Sequence, residues 1–465
     1  MPSHAYLQSD WRREAMRTNL WLVPAAEALV VLGVFVGTHA LDRAAYRGDL
    51  QLPAWVLSGT ADSARQILTA IAAAIMTVVG VVFSITIVAL TLASTQFGPR
   101  MMRNFIRDRG TQLTLGTFVA TFFYTILALV SIGGGPRGDF VPHLSITVAL
   151  VLTLADLAVL IYFINHVATV IQLPQVIAGI AGDLAREIEA RNGGGDRSTG
   201  FGSARGPSSE ELLHRMGESG AVIRTPASGY LQVIRHDTLL KIATAAEAVI
   251  HLPHRPGHFL VRGQVLANVW PAEAAEYVAE NLQRGHVTGP YRTLTQDISF
   301  GFDQLVEIAL RALSPAVNDT FTALTCIDWL GDCLCRITTG WHPQRIRRDD
   351  TGHIRVIAHE ADLGRLIERA FEKIRQSAEG MPAVMIRQLD ALAKIIEQTS
   401  HPPSRRILLH QADMIQRANL RSVREQADRA DVTRRYDAVV GLFAQPRRAM
   451  EPVPIHENIS KMSTN

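Results

Sequence analysis

The chain has 465 residues and a formal net charge of +3, with 48% hydrophobic and 19% charged residues. This near-neutral charge gives no support to nucleic-acid binding as the main task. The composition excludes a disordered, fibrous or disulfide-stapled secreted chain. The first ~175 residues are strongly apolar and the rest carry ordinary charge, so the sequence predicts a membrane domain followed by a large soluble part.

Four charge-free stretches are long enough to cross ~30 Å of hydrocarbon as helices. They occupy residues 19–40, the interval between Arg65 and Arg100, the interval between Arg109 and Arg137, and residues 142–170. Together they predict a four-span transmembrane domain over residues 1–172. The first stretch has a basic start, but its length and the presence of Pro24 and Glu27 argue against a cleaved signal peptide.

The arginines of the short connections predict the orientation. Most of them precede the first span or join the second span to the third: Arg12, Arg13, Arg17, Arg100, Arg103, Arg107 and Arg109. Such residues favour the cytoplasmic side, so both termini and the soluble part are expected in the cytoplasm of a bacterial inner membrane. Arg43, Arg47 and Arg137 lie in the opposite connections and are outnumbered.

The second span carries a stripe of small and polar residues at steps of three, four and seven, which share one helix face. The stripe consists of Thr77, Gly80, Ser84, Thr91 and Thr95. One interpretation is close packing of helices through small residues. The other is a hydrated pore or substrate path, with the four hydroxyl residues of the stripe lining it.

Two carboxylates lie inside predicted spans, Glu27 in the first and Asp156 in the fourth. Antiparallel spans bring them to a similar depth. Asp156 is a candidate for the path, as a charge filter or proton site, or else a structural carboxyl that ties helices together. For Glu27 we expect a side chain that extends to the interface, and for His166 a satisfied interfacial role.

The soluble part is predicted to be an α+β domain. Residues 173–220 form a helical extension and a glycine-rich flexible linker, and residues 221–298 a β-rich subdomain, read as a small barrel or sandwich. Residues 299–450 follow as a helical bundle, and residues 451–465 as a tail. The fold class is therefore a membrane α-helical domain of four transmembrane helices with a cytoplasmic α+β domain.

Two groups of residues have spacings worth testing as metal ligands. They are the histidines His251, His254, His258 and His286, and the cysteines Cys326, Cys333 and Cys335. The histidines lie in a non-helical segment without interleaved acidic or cysteine ligands, and the cysteines lack a fourth ligand. We therefore expect surface histidines, cysteines packed in a core, and no metal or cofactor.

Several short motifs together resemble a known family. They are Val82-Phe83-Ser84-Ile85-Thr86, Ser94-Thr95-Gln96-Phe97-Gly98-Pro99-Arg100, Arg292-Thr293 with Gln296-Asp297 and Phe300-Gly301, Arg311-Ala312-Leu313-Ser314-Pro315-Ala316-Val317-Asn318-Asp319, and Thr322-Ala323. The chain resembles an uncharacterised family of bacterial predicted inner-membrane proteins, domain of unknown function 2254. The resemblance implies an integral membrane protein without a settled activity. Relatives usually show Asn-Asp-Pro where this chain has Asn318-Asp319-Thr320.

The last of the long motifs predicts an elbow between two helices, residues 314–319, rich in side-chain oxygens. Asn318 or Asp319 is expected to cap the second helix, near Ser314. Three further polar residues could meet this elbow: Arg292, Asp297 and Arg311. The alternatives are a buried polar network that fixes the helices, a site for ligand or ion sensing, or catalysis.

Three functions remain open from the sequence. The first is a homo-oligomeric ion channel or transport protein, with the second span along the path and the cytoplasmic domain as gate. The second is a membrane-anchored sensor or scaffold that binds a small ligand. An enzyme is disfavoured because no nucleophile elbow, phosphate loop or paired metal motif is present. The expected partners are the lipid bilayer, further copies of the chain, and an ion or small ligand, but no nucleic acid.

Overall fold

The computed structural model describes residues 22–97, 108–135, 138–170, 172–193, 205–340, 344–399 and 401–444. The chain divides into two compact units, Met1–Gly179 and Ile180–Asn465. Residues 194–204 of the predicted linker and the predicted tail lie outside the described residues, as do Arg100, Arg103 and Arg107.

The described residues of the first unit contain four helices that are long and apolar enough to cross a membrane. They are α1 (Leu22–Arg47), α2 (Ala61–Phe97), α3 (Arg109–Val130) and α4 (His143–Val170). The predicted four spans are therefore confirmed as candidate membrane helices. A short antiparallel hairpin of β1 (Gly133–Gly135) and β2 (Gly138–Phe140) joins α3 to α4.

The helix α3 is the centre of this unit, because it packs against α1, α2 and α4. The buried share of its most apolar stretch is 44%, against 6% for α1 and 22% for α2. The core around it includes Leu68, Phe118, Tyr124 and Phe163, each at most 1% exposed. Side chains on α3 therefore face protein along much of its length.

The second unit begins with mixed structure. Its helices are α5 (Leu173–Gly193, shared with the first unit), α6 (Ser209–Ser219), α7 (His236–Ala245) and α8 (Ala275–Leu282). Its strands here are β3 (Ala221–Arg224), β4 (Gly229–Ile234), β5 (Val249–Leu252), β6 (Phe259–Leu260), β7 (Val265–Trp270) and β8 (His286–Gly289). The β-rich nature predicted for this stretch is confirmed.

These strands form open sheets and do not close into a barrel in the part of the chain that is described. One sheet has the order β3-β7-β5-β10-β9 and the other the order β6-β4-β8. Strands β9 (Ile346–Arg348) and β10 (Ile354–Ala358) come from the stretch predicted as a helical bundle. Strand β10 pairs in parallel with β5, with Val356 opposite Ile250. Its β-branched, buried residues favour a strand.

Six helices complete the described part of the second unit. They are α9 (Ile298–Ala312), α10 (Thr320–Gly340), α11 (Leu363–Ser377), α12 (Pro382–Gln398), α13 (Pro402–Ser422) and α14 (Gln426–Ala444). The apolar face predicted for α9 is buried, with Phe302 and Leu305 fully so. The three cysteines of α10 are free and buried, as expected for core packing. Burial raises the pKa of the Cys326 thiol to about 12, so it is a poor nucleophile.

Candidate functional site

The polar stripe of α2 lies on the outside of the first unit. Thr77, Ser84 and Thr91 are exposed, whereas the face of α2 that packs inward carries apolar residues such as Leu68 and Val82. The Thr77 and Thr91 hydroxyls each donate to a carbonyl one turn earlier in the same helix, at 2.9 Å. The side chain of Thr95 is outside the described residues. Gly80, the fourth described member of the stripe, is exposed as well, so among the described residues of one chain no helix covers these four positions.

Asp156 of α4 lies inside the first unit, at 4% exposure. The hydroxyl of Thr121 on α3 donates to its Oδ1 atom at 3.1 Å. Its Oδ2 atom is buried without a hydrogen-bond partner among the described residues. The structure therefore places Asp156 against α3 and does not group it with the exposed stripe of α2.

Glu27 of α1 also faces α3. Its Oε2 atom is buried without a hydrogen-bond partner among the described residues. The carboxyl lies over Gly116, where any side chain would clash with Oε2. The expected extension of Glu27 to the interface is therefore wrong, because its carboxyl turns inward to the space that Gly116 leaves open.

Further polar side chains on α3 are buried, and sequence reasoning did not single them out. Thr114, Thr121 and Thr125 are each at most 1% exposed, and Gln112 is 5% exposed. The Thr114 and Thr125 hydroxyls donate to carbonyls of α3 itself, at 2.9 and 2.8 Å. The available signal was the spacing of these threonines, seven and four residues, which puts them on one helix face.

Polar contacts continue at both ends of α3. At its start, Asp108 accepts from the backbone N–H of Thr111 at 2.8 Å and lies 2.7 Å from His166 Nε2. The satisfied role expected for His166 is confirmed by this contact. Toward its other end, the hydroxyl of Tyr124 lies 2.9 Å from that of Thr38 on α1.

From Thr38 the contacts reach α4. The Ser145 hydroxyl donates to Asp42 Oδ2 at 2.7 Å, and its oxygen lies 3.2 Å from Thr38 Oγ1. We call the whole set the α3 polar line: Asp108, His166, Glu27, Thr114, Thr121, Asp156, Thr125, Tyr124, Thr38, Ser145 and Asp42. From Asp108 to Tyr124 it follows ~24 Å of helix, most of a bilayer's hydrocarbon thickness.

A second concentration of charge lies in the second unit, around the start of α9. Arg292 Nε donates to Asp297 Oδ2 at 2.8 Å, and Arg292 Nη1 donates to Asp303 Oδ2 at 2.6 Å. Arg369 on α11 contacts the same carboxylate of Asp303 at 2.6 Å. Arg255 completes this arginine–aspartate cluster, with Nη1 3.9 Å from Asp297 Oδ1.

Burial governs the electrostatics of the arginine–aspartate cluster. Asp297 is 1% exposed. Its carboxylate lies against Gly257, at φ +95°, and leaves no room for a side chain at that position. Burial lowers the pKa of the Arg255 guanidinium, although the charge of Asp297 opposes the shift. Burial also works to lower the pKa of Arg292, but hydrogen bonds to Asp297 and Asp303 outweigh it and raise that pKa.

The elbow forms as a helix cap. Asp319 accepts hydrogen bonds from the backbone N–H and the hydroxyl of Thr322, at 3.1 and 2.6 Å, so the predicted cap of α10 is confirmed. The Ser314 hydroxyl donates to the Arg311 carbonyl at 2.7 Å. Asn318, at φ +50°, is exposed, so the elbow is a surface feature and not a buried network.

The structure does not bring Arg292 and Asp297 to the elbow. They lie before the first turn of α9, and the elbow follows its last turn. The helix has 15 residues and is unbroken, which puts ~22 Å between its ends. Arg311 is at the elbow end, where Nη2 lies 3.6 Å from Glu307.

The histidines form a loose group near the arginine–aspartate cluster. The Nδ1 atoms of His254 and His258 are 3.5 Å apart, and the ring of His359 lies 5.8 Å from that of His258. Burial, and then the positive charge of Arg255, lowers the pKa of His258 to about 4. Among the described residues, no three His, Cys, Asp or Glu side chains are arranged to hold a metal ion.

Similarity to known proteins shows the family of this chain. Residues 17–394 match the model of a family described as "Predicted membrane protein (DUF2254)". The chain belongs to this family. The resemblance seen in the short motifs is thereby confirmed. The matched residues include the described polar line on α3 and the arginine–aspartate cluster.

Similar proteins come from mycobacteria. Uncharacterised proteins of Mycobacterium bovis and of two Mycobacterium tuberculosis strains, H37Rv and CDC 1551, are each 28% identical to this chain over 435 residues. The alignments cover 90% of this chain and 81% of each relative. No solved structure matches the chain.

Proposed function

We propose that the protein is a homo-oligomeric ion channel or transport protein of a bacterial inner membrane, in which the α3 polar line carries a proton or small cation. The supporting observation is a pair of carboxylates beside α3. Asp156 and Glu27 each keep one buried oxygen without a hydrogen-bond partner among the described residues. An ionisable group inside a bilayer is costly and commonly marks a proton relay or ion path.

The chemistry of the polar line suits a charge that moves in steps. A carboxylate oxygen only accepts hydrogen bonds, so an unpartnered one in a dry interior favours a proton, a cation or water. Asp156 and Glu27 each supply one such oxygen. Asp42 continues the line toward one end, and Asp108 with His166 toward the other. The threonine hydroxyls between them keep lone pairs that can accept.

In this proposal the stripe of α2 is the surface where copies of the chain meet. Small residues and hydroxyls let helices approach closely in lipid, and those of Thr77, Ser84 and Thr91 are uncovered in one chain. The second unit then regulates transport from the cytoplasm, where the arginine distribution would put it. The proposal assigns no catalytic step.

Ion flux into proteoliposomes tests the proposal. A pH-sensitive dye inside the vesicles, with a potassium gradient and valinomycin to set the membrane potential, reports proton entry through the full-length protein. We expect Asp156→Asn to reduce the flux to that of empty vesicles, because an amide neither takes up nor releases a proton. Thr121→Val should reduce it less, since the carboxyl itself remains.

Thr117→Val is the matched control. Thr117 lies one turn before Thr121 on α3, and its hydroxyl donates to the carbonyl of Leu113 at 2.9 Å. The control should keep wild-type flux. Sodium- and potassium-sensitive dyes extend the assay to other cations. The proposal would be contradicted if Asp156→Asn kept full flux. It would also be contradicted if the wild type passed protons, sodium and potassium no faster than empty vesicles do.

A second candidate function is a membrane-anchored sensor or scaffold, favoured by the arginine–aspartate cluster. Its three arginines face two aspartates, so a small anion would balance the excess positive charge. Titration calorimetry of the full-length protein with inorganic phosphate tests this. Arg255→Gln should weaken the binding, and Arg224→Gln, an exposed arginine on β3, should not. Phosphate binding in a protein without ion flux would favour the sensor.

A further inference from the structure

The β-rich part of the second unit contains a cavity of about 390 Å³. Its floor is the hydrophobic core of this region, where Leu266 of β7 and Leu282 of α8 are at most 4% exposed. Ile223 of β3 packs against the same core and belongs to the lining. Ala279 on α8 and Ala227 in the turn after β3 are exposed at its mouth. The cavity is therefore an apolar recess that leads from the surface to the core.

Two polar residues of the lining have their hydrogen bonds within the protein. The Thr225 hydroxyl donates to the Ala227 carbonyl at 2.8 Å, and the Thr225 backbone N–H donates to the Gln264 carbonyl at 2.9 Å. Arg224 is exposed, and its Nη1 atom donates to the Gly263 carbonyl at 2.8 Å. A ligand in the recess is therefore not needed to satisfy either side chain.

His286, at the start of β8, is the lining residue that keeps an unused acceptor. Its Nδ1 atom lies 2.9 Å from the Leu282 carbonyl. Because a carbonyl can only accept, Nδ1 carries the proton and the lone pair is on Nε2. Nε2 has no hydrogen-bond partner among the described residues, and it is not closed off from solvent. Burial lowers the pKa of His286, so the ring is neutral at pH 7 and Nε2 accepts.

The fold separates His286 from the histidines with which the sequence groups it. His286 belongs to the sheet of order β6-β4-β8, and His251 belongs to the sheet of order β3-β7-β5-β10-β9. His254 and His258 contact each other, and neither contacts His286. The role of His286 is therefore independent of the histidines beside the arginine–aspartate cluster.

The size and composition of the recess are typical of a small-molecule site. Such pockets have volumes from about 300 Å³ upward and are mainly apolar, with a few polar groups that orient the ligand. A charged group would lose its hydration against the apolar floor. We propose that this cavity binds a small uncharged molecule, whose apolar body lies against Leu266 and Leu282 and whose single hydroxyl or N–H group donates to His286 Nε2.

The proposed site is separate from the proposed ion path, because all the residues that line it belong to the second unit. The lining includes strands β3 and β7 of one sheet, strand β8 of the other sheet, and helix α8. A bound molecule would therefore contact both sheets at once. Its binding can be measured without any assay of ion flux.

Two isomeric probes test the proposal, 3-methylindole and 1-methylindole. They have the same size, and only 3-methylindole carries an N–H donor. Equilibrium dialysis against the full-length protein in nanodiscs measures their binding, with empty nanodiscs as the blank for partition into lipid. The wild type should bind 3-methylindole about fivefold more tightly, which is the contribution of one hydrogen bond. His286→Phe keeps an aromatic ring without an acceptor, so it should bind the two isomers equally.

Ala279→Phe should weaken the binding of both probes about tenfold, because its ring would occupy the recess. Ala272→Phe is the matched control, since it makes the same change at an exposed residue outside the lining, and it should leave both affinities unchanged. Equal binding of the two isomers by the wild type would overturn the hydrogen bond to His286 and with it the proposal. Binding of neither isomer, or undiminished binding by Ala279→Phe, would overturn the site itself.

Discussion

Asp42 and Ser145 join α1 to the start of α4 through two hydrogen bonds, 2.9 Å from the Ser145 backbone N–H and 2.7 Å from its hydroxyl. The same carboxylate accepts from the backbone N–H of Leu144 at 2.8 Å. A helix start leaves such N–H groups without partners of their own. A side chain of α1 thus provides the cap that α4 lacks in its own sequence.

The first prediction concerns this cap. Asp42→Ala should lower the free energy of unfolding by about 1–3 kcal/mol, because a buried cap is lost and the N–H groups it served stay buried. Thermal unfolding of the purified protein in micelles measures the effect. Asp62→Ala is the control, since Asp62 is 87% exposed in the first turn of α2. Equal melting temperatures for both variants would show that the Asp42 contacts contribute little.

The second prediction concerns the orientation. Reporter fusions at Gly48 and Gly138 should be active in the periplasm, and fusions at Asp108 and Gly195 in the cytoplasm, because most loop arginines lie on the latter side. Paired alkaline phosphatase and green fluorescent protein fusions measure this in cells. A periplasmic signal at Gly195 would contradict the assigned orientation.

The third prediction separates the two interpretations of the α2 stripe. Single cysteines replacing Thr77, Ser84 and Thr91 should cross-link between copies under mild oxidation, because these exposed positions are expected where copies meet. Val82→Cys, on the buried face of α2, should not. Labelling of the same positions by a small polar thiol reagent would instead point to a hydrated path along α2. The absence of both cross-links and labelling would indicate that lipid covers this face.

The fourth prediction concerns the elbow. Asp319→Ala should destabilise the full-length protein by about 1 kcal/mol, because it removes the cap on Thr322. Asn318→Gly is the contrasting variant: at φ +50° glycine carries less strain than asparagine, so stability should stay the same or rise slightly. Calorimetry or chemical denaturation compares them. A drop for Asn318→Gly as large as that for Asp319→Ala would mean that the side chain of Asn318 makes essential contacts.

The fifth prediction concerns pH. The folded state holds the pKa of His258 at about 4, below the 6.5 of an unfolded chain, so the unfolded state binds more protons between these values. Stability should therefore be complete above pH 6.5 and fall as the pH drops toward 4. His258→Gln should flatten this fall, and His214→Gln, on the exposed face of α6, should leave it unchanged. The midpoint of denaturant unfolding across this pH range measures it.

The spans could be predicted because hydrocarbon thickness demands long apolar stretches, a signal that each span carries alone. The sequence does not show in the same way that the threonines of α3 are buried and those of α2 exposed. Threonine satisfies its hydroxyl within its own helix, as Thr77 and Thr125 both do, so its spacing looks alike on an outer and an inner face. Only the packing of α3 between its neighbours distinguishes the two.

Contacts between distant parts of the chain could likewise not be predicted from the sequence. Strand β10 pairs with β5 through Val356 and Ile250, and no local periodicity records which strand will be its neighbour. Asp303 joins Arg292 to Arg369 on a different helix. The cap by Asp319 was predictable because it depends on residues three positions apart.

The inward carboxyls of α1 bear on how the protein is made. Glu27 meets Gly116, and Asp42 meets Ser145, which follows it by 103 residues in the chain. A ribosome therefore delivers α1 to the membrane well before the helices that accommodate its two acids. In a chain that ends after α2, both carboxylates would therefore lack these contacts. The side-chain contacts of α1 are completed only after α3 and α4 have been synthesised.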